Sequence, residues 1–149
     1  MQRIGFSIDI QAPKEKVWRT LLDDASYRQW TSAFAEGSYA VTDWQEGSEA
    51  KFLGPNGDGM YSRIAAHRPN EFLSIEHLGM LKNGEVVQDD AAASWSGALE
   101  NYTVRESDGV STLTIKMDTT DPYVKYFEET WPKALQKVKD LAETERSAA

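Results

Sequence analysis

An apolar stripe near the C terminus constrains this chain more than any other feature of its sequence. Between residues 123 and 141, large apolar side chains recur three or four positions apart, the spacing of one face of an α-helix. Thr120-Asp121-Pro122 supplies a cap and a first turn, which predicts a helix from there to about residue 145. Such a stripe requires a large apolar surface to cover it. The stripe consists of Tyr123, Phe127, Trp131, Ala134, Leu135, Val138 and Leu141.

The covering surface is predicted to be a β-sheet, because much of the preceding chain alternates between apolar and polar residues. Residues 3–10 show this two-residue period, which is typical of a half-buried strand. Clusters rich in glycine, proline and asparagine separate the later segments and predict turns between them. The predicted strands cover residues 3–10, 38–45, 49–54, 59–67, 71–79, 95–106 and 110–118.

Two short helices are predicted after the first strand. Pro13 suits the first turn of a helix whose apolar face extends to Leu22. Asp23 or Asp24 can cap a second helix that continues through Trp30. The chain is therefore expected to begin with one strand and two adjacent helices.

The order of these elements predicts an α+β fold with one domain over residues 1–149. A sheet of six or seven antiparallel strands has one apolar face, and only the final helix has a stripe large enough to cover it. The sheet is therefore expected to curve around that helix. Residues 80–94 are the exception: Asn83-Gly84 predicts a hairpin, but Asp89-Asp90 and the alanines after it have no strand period, so we expect a mobile flap there.

Composition excludes several classes of protein. The chain has no cysteine, which removes disulfides, thiolate metal sites and cysteine nucleophiles. A formal charge of -8 opposes nucleic acid and anionic membrane surfaces, since both attract basic proteins. No apolar run reaches the length of a membrane-spanning helix, and the first residues enter a strand pattern instead of a signal peptide. We therefore expect a cytoplasmic protein without membrane insertion.

Several short motifs, taken in order, resemble a known family. They are Ala12-Pro13, Val17-Trp18, Phe72-Leu73-Ser74-Ile75-Glu76-His77 and Trp131-Pro132-Lys133-Ala134-Leu135. Trp30 and Gly47, which lie between the second and third of these motifs, also belong to the pattern. Together they resemble the START-like, or SRPBCC, superfamily of helix-grip proteins, in the group related to activators of heat-shock-protein ATPase. The resemblance implies a curved sheet around a C-terminal helix with a cavity between them, which relatives use for apolar molecules. It does not imply a reaction.

Candidate site residues follow from the inward faces of the predicted strands and helix. His77 and Glu100 are the informative pair, because alternation places both inward, where a buried polar group needs a partner. Hydrogen bonds to Tyr61, Tyr102 or each other would satisfy them structurally; alternatively they contact a ligand, or His77 acts as a base beside Glu100. The apolar candidates could equally fill a closed core. The predicted ligand-binding set is Phe52, Tyr61, Ile75, His77, Glu100, Tyr102, Ile115, Met117, Tyr123, Phe127 and Trp131.

Three functions are compatible with this sequence. The first is a binding protein for a small hydrophobic or amphipathic molecule. The second is an enzyme of the polyketide cyclase or hydratase kind that uses the same cavity, and the third is a protein-interaction module of the co-chaperone type with a solid interior. No cofactor is predicted, and His67 and His77 with scattered carboxylates match no metal motif. The chain is expected to be a monomer or a homodimer.

Overall fold

The computed structural model describes residues 2–87 and 96–148, with side chains as far as residue 144. The described residues form one antiparallel sheet and three helices, in agreement with the predicted α+β class. In chain order the elements are β1 Gln2–Ile10, α1 Lys14–Leu22, α2 Asp24–Thr31, β2 Tyr39–Val41, β3 Glu49–Leu53, β4 Gly59–Arg68, β5 Phe72–Lys82, β6 Glu85–Val87, β7 Ala98–Ser107, β8 Val110–Thr119 and α3 Asp121–Ala148.

The sheet has eight strands, in the order β1-β8-β7-β5-β4-β3-β2, with β6 paired to β5 beside this path. Every pairing is antiparallel. Short connections between successive strands account for all of these pairings except β1–β8 and β5–β7. The strand missing from the seven predicted ranges is β6, which has only three residues. The long strands β4, β5, β7 and β8 form the middle of the sheet.

The final helix lies along the concave face of the sheet, as predicted. Ala134, Leu135, Val138 and Ala142 are buried in the core formed by this helix, the sheet and α1. Tyr123, at the other end of the predicted stripe, is 47% exposed. The C-terminal half of the stripe therefore packs into a closed core, whereas the N-terminal half is only partly covered.

The strand predicted over residues 38–45 is shorter in the structure because side chains compete for its backbone. The Thr42 hydroxyl accepts the Trp44 amide, and the Asp43 carboxylate accepts the Gln45 amide at 2.9 Å. Such local bonds replace the ladder to a neighbouring strand. Trp44 also adopts a φ of 62°, which ends the extended conformation.

Histidine 67 joins α1 to the loop before β3. Its Nε2 accepts a hydrogen bond from Trp18 Nε1 at 3.1 Å, so its Nδ1 carries the proton that it donates to the Trp44 carbonyl at 2.7 Å. The Trp18 and His67 rings stack at 5.7 Å between centroids. These bonds hold α1 and the loop before β3 together, so His67 has a structural role.

The predicted flap over residues 80–94 is wrong in its first half. Residues 80–82 continue β5, and Asn83 and Gly84, with φ of 53° and 81°, form a tight turn into β6. Positive φ at both turn residues matches the twist of the flanking strands, which is why Asn-Gly favours hairpins. Residues 88–95, the rest of the predicted flap, lie outside the described residues.

In the part of the chain that is described, no helix has the length and apolar composition needed to cross a bilayer.

Candidate ligand-binding site

A cavity of about 720 Å³ lies between the concave face of the sheet, α2 and the N-terminal half of α3. Small-molecule sites in proteins usually measure about 300–1,000 Å³, so the space suits a drug-sized ligand. It is open to solvent, since exposed residues such as Glu36, Pro55 and Asp58 line its rim. A second space of about 10 Å³ beneath α2 is too small for more than a water molecule.

The walls of the cavity are mainly aromatic. Aromatic faces provide a large contact area with little loss of side-chain entropy when a ligand binds. The aromatic lining residues are Tyr27, Trp30, Phe34, Tyr39, Phe52, Tyr102, Tyr123, Tyr126, Phe127 and Trp131.

Helix α2 supplies a wall that the sequence prediction missed. Tyr27, Trp30 and Thr31 of α2 line the cavity together with Phe34, which lies in the turn after the helix. Trp30 also packs against the core: it is 2% exposed and donates its indole N–H to the Leu21 carbonyl. The same spacing that identifies the helix could have identified this wall.

Trp131 is the centre of the aromatic lining. Its ring lies 4.9 Å from that of Phe34 in an edge-to-face arrangement and 6.1 Å from that of Tyr102. Its indole N–H points at the Met117 sulfur, 3.0 Å away. The residue thus connects α2, α3 and the sheet at the boundary between closed core and open cavity.

A β-bulge in β5 determines which of its side chains reach the cavity. Tyr61 pairs with Gly79 and the next residue, Ser62, pairs with His77, so Leu78 has no partner in the ladder. The extra residue reverses the inward and outward alternation beyond this point. As a result both His77 and Met80 line the cavity.

His77 and Glu100 form the polar part of the inner wall. The Nε2 atom of His77 lies 3.2 Å from Glu100 Oε1, and its Nδ1 lies 2.7 Å from the Ser62 hydroxyl. The Tyr102 hydroxyl donates to the other carboxylate oxygen of Glu100. The side chains of His77 and Glu100 are only 8% and 19% exposed, so the cluster is largely shielded from solvent.

The cluster holds Glu100 as a carboxylate. Burial raises the pKa of Glu100, but the hydrogen bond and charge of His77 and the hydrogen bond of Tyr102 outweigh burial, and the pKa lies below its ordinary value. Burial and the neighbouring Glu100 charge raise the pKa values of Tyr102 and Tyr27, which keeps both hydroxyls protonated. Since a carboxylate only accepts, His77 Nε2 is the donor in their bond. The inner wall of the cavity therefore presents the Glu100 carboxylate as an anionic acceptor, held by the donors His77 and Tyr102.

Two turns form one side of the cavity rim. The Gly84 amide donates to the Gly57 carbonyl at 2.8 Å, and the Asn83 amide donates to the Asp58 carboxylate at 3.1 Å. These bonds fasten the β3–β4 loop to the β5–β6 turn. The loop residues 53–56 lie within the cavity lining as a consequence.

Most of the predicted site residues converge on this cavity. Those that line it are Phe52, His77, Glu100, Tyr102, Met117, Tyr123, Phe127 and Trp131. Of the predicted hydrogen bonds, those that join Glu100 to His77 and to Tyr102 are present.

Three predicted residues do not line the cavity. Tyr61 lies on the outer face of the sheet, where its hydroxyl donates to Glu49, because the inward positions of β4 are those of Met60, Ser62 and Ile64. Ile75 and Ile115 do point inward, but they are 2% and 0% exposed within the closed core. Alternation gave their direction correctly and could not show where along the strand the open space begins.

A curved antiparallel sheet that holds a long C-terminal helix, with a cavity between them, defines the helix-grip class of START-like proteins. Residues 11–143 match the family model described as "Activator of Hsp90 ATPase homolog 1-like protein". The chain belongs to that family, as the sequence resemblance predicted.

Solved structures agree on the fold. Protein MLL2253 from Mesorhizobium loti superposes with a TM-score of 0.76 at 16% identity, over 96% of this chain and 98% of that one. The Aha1 dimer from Colwellia psychrerythraea gives a TM-score of 0.69 at 20% identity, with 96% and 97% covered. DynU16, a protein of the dynemicin biosynthetic locus, gives 0.72 at 13% identity, over 97% of this chain and 48% of its own. No curated protein sequence matches the chain.

Proposed function

We propose that this protein binds a small apolar or amphipathic molecule in the cavity between the sheet and α3. The observation that carries the proposal is an open space of about 720 Å³ lined by aromatic side chains and by the buried polar cluster of His77, Glu100 and Tyr102. An apolar body placed there would remove aromatic surface from water, which contributes about 25 cal/mol per Å². His77, Glu100 and Tyr102 would orient its polar end.

The proposal is tested with a neutral fluorescent probe, N-phenyl-1-naphthylamine. We expect saturable binding with enhanced emission and a raised melting temperature, because a ligand that binds only the folded state stabilises it by mass action. Met80→Trp should weaken binding by about tenfold or more, since the larger ring would occupy cavity space beside Met60.

Thr103→Trp is the matched control for this experiment. Thr103 lies between the inward residues Tyr102 and Val104 of β7, so the added ring would point to the outer face. It should leave probe affinity unchanged. Failure of the wild-type protein to bind, or equal binding by the wild type and both variants, would contradict the proposal.

A reaction on the bound molecule is the second candidate, and the hydrogen-bonded His77–Glu100 pair supports it. Such a pair can accept and return a proton at a ligand atom. The fold is shared with DynU16, a protein of a biosynthetic locus. If the protein is an enzyme, His77→Gln should retain probe binding and abolish conversion of the substrate. An unchanged rate of conversion in that variant would exclude His77 as the base.

Other features of the biology are proposed from the sequence and its relatives. We propose that residues 1–149 act as one domain in the cytoplasm, without nucleic acid or membrane insertion, because the charge is -8. A monomer or a homodimer is proposed, and the dimeric Aha1 structure gives the second option a precedent. Size-exclusion chromatography with light scattering distinguishes the two.

A further inference from the structure

Among the described residues, the charged side chains that line the cavity are all acidic, apart from His77. Arg28, which is not in the lining, lies over the Tyr39 ring at 5.1 Å and is paired with Asp24. Glu36, Asp58 and Glu100 line the cavity, and no lysine or arginine does. The residues outside the described ranges are Met1, 88–95 and Ala149, and their sequence includes no lysine or arginine that could add a positive charge. Arg146 lies about 28 Å along α3 from Phe127, at the opposite end of the helix.

We infer that the cavity selects neutral or cationic molecules that carry a hydrogen-bond donor, such as an amine or a hydroxyl, and rejects carboxylates and phosphates. The inference rests on the proposed function, because it assigns the chemical class of the ligand that the cavity binds.

Glu100 provides the acceptor that such a donor needs. A carboxylate has about four lone-pair positions, and the bonds from His77 and Tyr102 use two of them. A hydrogen bond from a ligand to a largely buried carboxylate is charge-assisted, and therefore stronger than a bond between neutral groups. An amine or hydroxyl in the cavity can thus complete the hydrogen bonding of Glu100.

An anionic head group would find no positive partner in either protonation state of His77. When His77 is neutral, Glu100 leaves the cluster with one negative charge, which repels an anion. When His77 is protonated, its charge is already paired with Glu100 at 3.2 Å. Burying an unpaired charge is costly, so the cavity disfavours an anionic head group in both states.

The aromatic walls favour the same class of ligand. The face of an aromatic ring attracts a cation when the charge lies within about 6 Å of the ring centre, most strongly for tryptophan. Tyr102 bonds to Glu100, its ring centroid lies 6.1 Å from that of Trp131, and that of Trp131 lies 6.0 Å from that of Trp30; all three rings line the cavity. An ammonium group beside Glu100 would therefore gain from both the carboxylate and the rings.

Three ligands with the same apolar body test the inference: 1-naphthylmethylamine, 1-naphthalenemethanol and 1-naphthoate. Displacement of N-phenyl-1-naphthylamine at neutral pH gives their relative affinities. We expect the amine and the alcohol to bind at least about tenfold more tightly than the carboxylate. Equal or tighter binding of the carboxylate would overturn the inference and leave the proposed function intact. Failure of the parent probe and all three ligands to bind would contradict the proposed function itself.

Glu100→Gln identifies the source of the selectivity. The amide keeps the size of the side chain and removes its charge, so the amine should lose about tenfold in affinity while the carboxylate gains. Glu15→Gln on the exposed face of α1 removes the same charge outside the cavity lining. It should change neither the affinity for the amine nor the affinity for the carboxylate. An unchanged amine preference in a folded Glu100→Gln protein would overturn the assignment to Glu100. If that variant does not fold, the relative affinities of the three ligands for the wild-type protein still test the inference.

Discussion

Glu100 is the residue whose ionisation links the cavity to the stability of the fold. Its pKa lies below the ordinary value of 4.5 in the folded protein, so the folded state favours the carboxylate. A depressed pKa contributes stability that is present above the unfolded-state value and is lost as the pH falls through the folded-state value. Folding should therefore lose the contribution of Glu100 below about pH 4.5.

The prediction is that acid destabilises the wild type more than Glu100→Gln. Urea unfolding from about pH 7 down to about pH 3 measures the free energy of unfolding of each protein. Asp43 and Asp118, whose pKa values are also lowered, titrate in both proteins and cancel in the difference. Parallel pH profiles for the two proteins would show that Glu100 has no depressed pKa.

Trp131 is predicted to be the most sensitive packing position of the site. It is 3% exposed and contacts Phe34, Tyr102 and Met117. Trp131→Ala should lower the free energy of unfolding by about 3–5 kcal/mol, because the ring is lost and a void remains. Tyr123→Ala on the same helix is the control and should cost far less, since Tyr123 is 47% exposed. Similar costs for the two variants would contradict this account of the lining.

At single positions, the sequence was informative wherever the two-residue period continued without interruption. It placed His77, Glu100 and Tyr102 together correctly, because His77 lies before the bulge in β5 and no register shift interrupts β7. It missed Met80 because the predicted strand ended at residue 79 and residues 80–94 were expected to form a flap. Continued alternation would also have missed Met80, since the bulge at Leu78 reverses it and leaves no signal in the polarity of its residues.

At the level of elements, the rim depends on the contact between the β3–β4 loop and the β5–β6 turn. Gly57 and Gly84 both have positive φ, of 84° and 81°, where an alanine costs about 1–2 kcal/mol. A Cβ atom on Gly57 would also lie 2.9 Å from the Gly84 nitrogen, whereas one on Gly84 would meet nothing within 4 Å.

Gly57→Ala should therefore be the more damaging substitution. We expect Gly84→Ala to lower the free energy of unfolding by about 1–2 kcal/mol, from backbone strain alone. Gly57→Ala should lower it further and also weaken probe binding, because the loop must move away from the turn. Thermal unfolding and probe titration of both variants measure this. Equal effects on stability and binding would show that the contact does not shape the rim.

The elements themselves were largely predictable, since each has a clear period or cap. Helix α2 and the turn after it show the limit: the spacing of Tyr27, Trp30 and Phe34 indicates a face, but not whether that face meets a core or an open space. The same limit applies to α3, where one stripe contains exposed Tyr123 and fully buried Val138. Periodicity shows which way a side chain points, whereas its depth of burial depends on the residues that face it from other elements.

At the scale of the whole molecule, the two ends of the space between the sheet and α3 differ. At one end, Trp18 and His67 join α1 to the loop before β3, and Ala134, Leu135 and Val138 fill the space beneath the sheet. At the other end, α2, the N-terminal half of α3 and the strands leave about 720 Å³ between them. The sequence predicts the curved sheet, but a cavity volume results from all side chains together and cannot be derived from any one pattern.

A crystal structure with N-phenyl-1-naphthylamine bound tests the central proposal most directly. The account predicts the probe between Phe52, Trp131 and Met80, with its amine N–H directed at Glu100. Density for the probe on the outer face of the sheet, or side chains that fill the space and leave no room for it, would contradict the account.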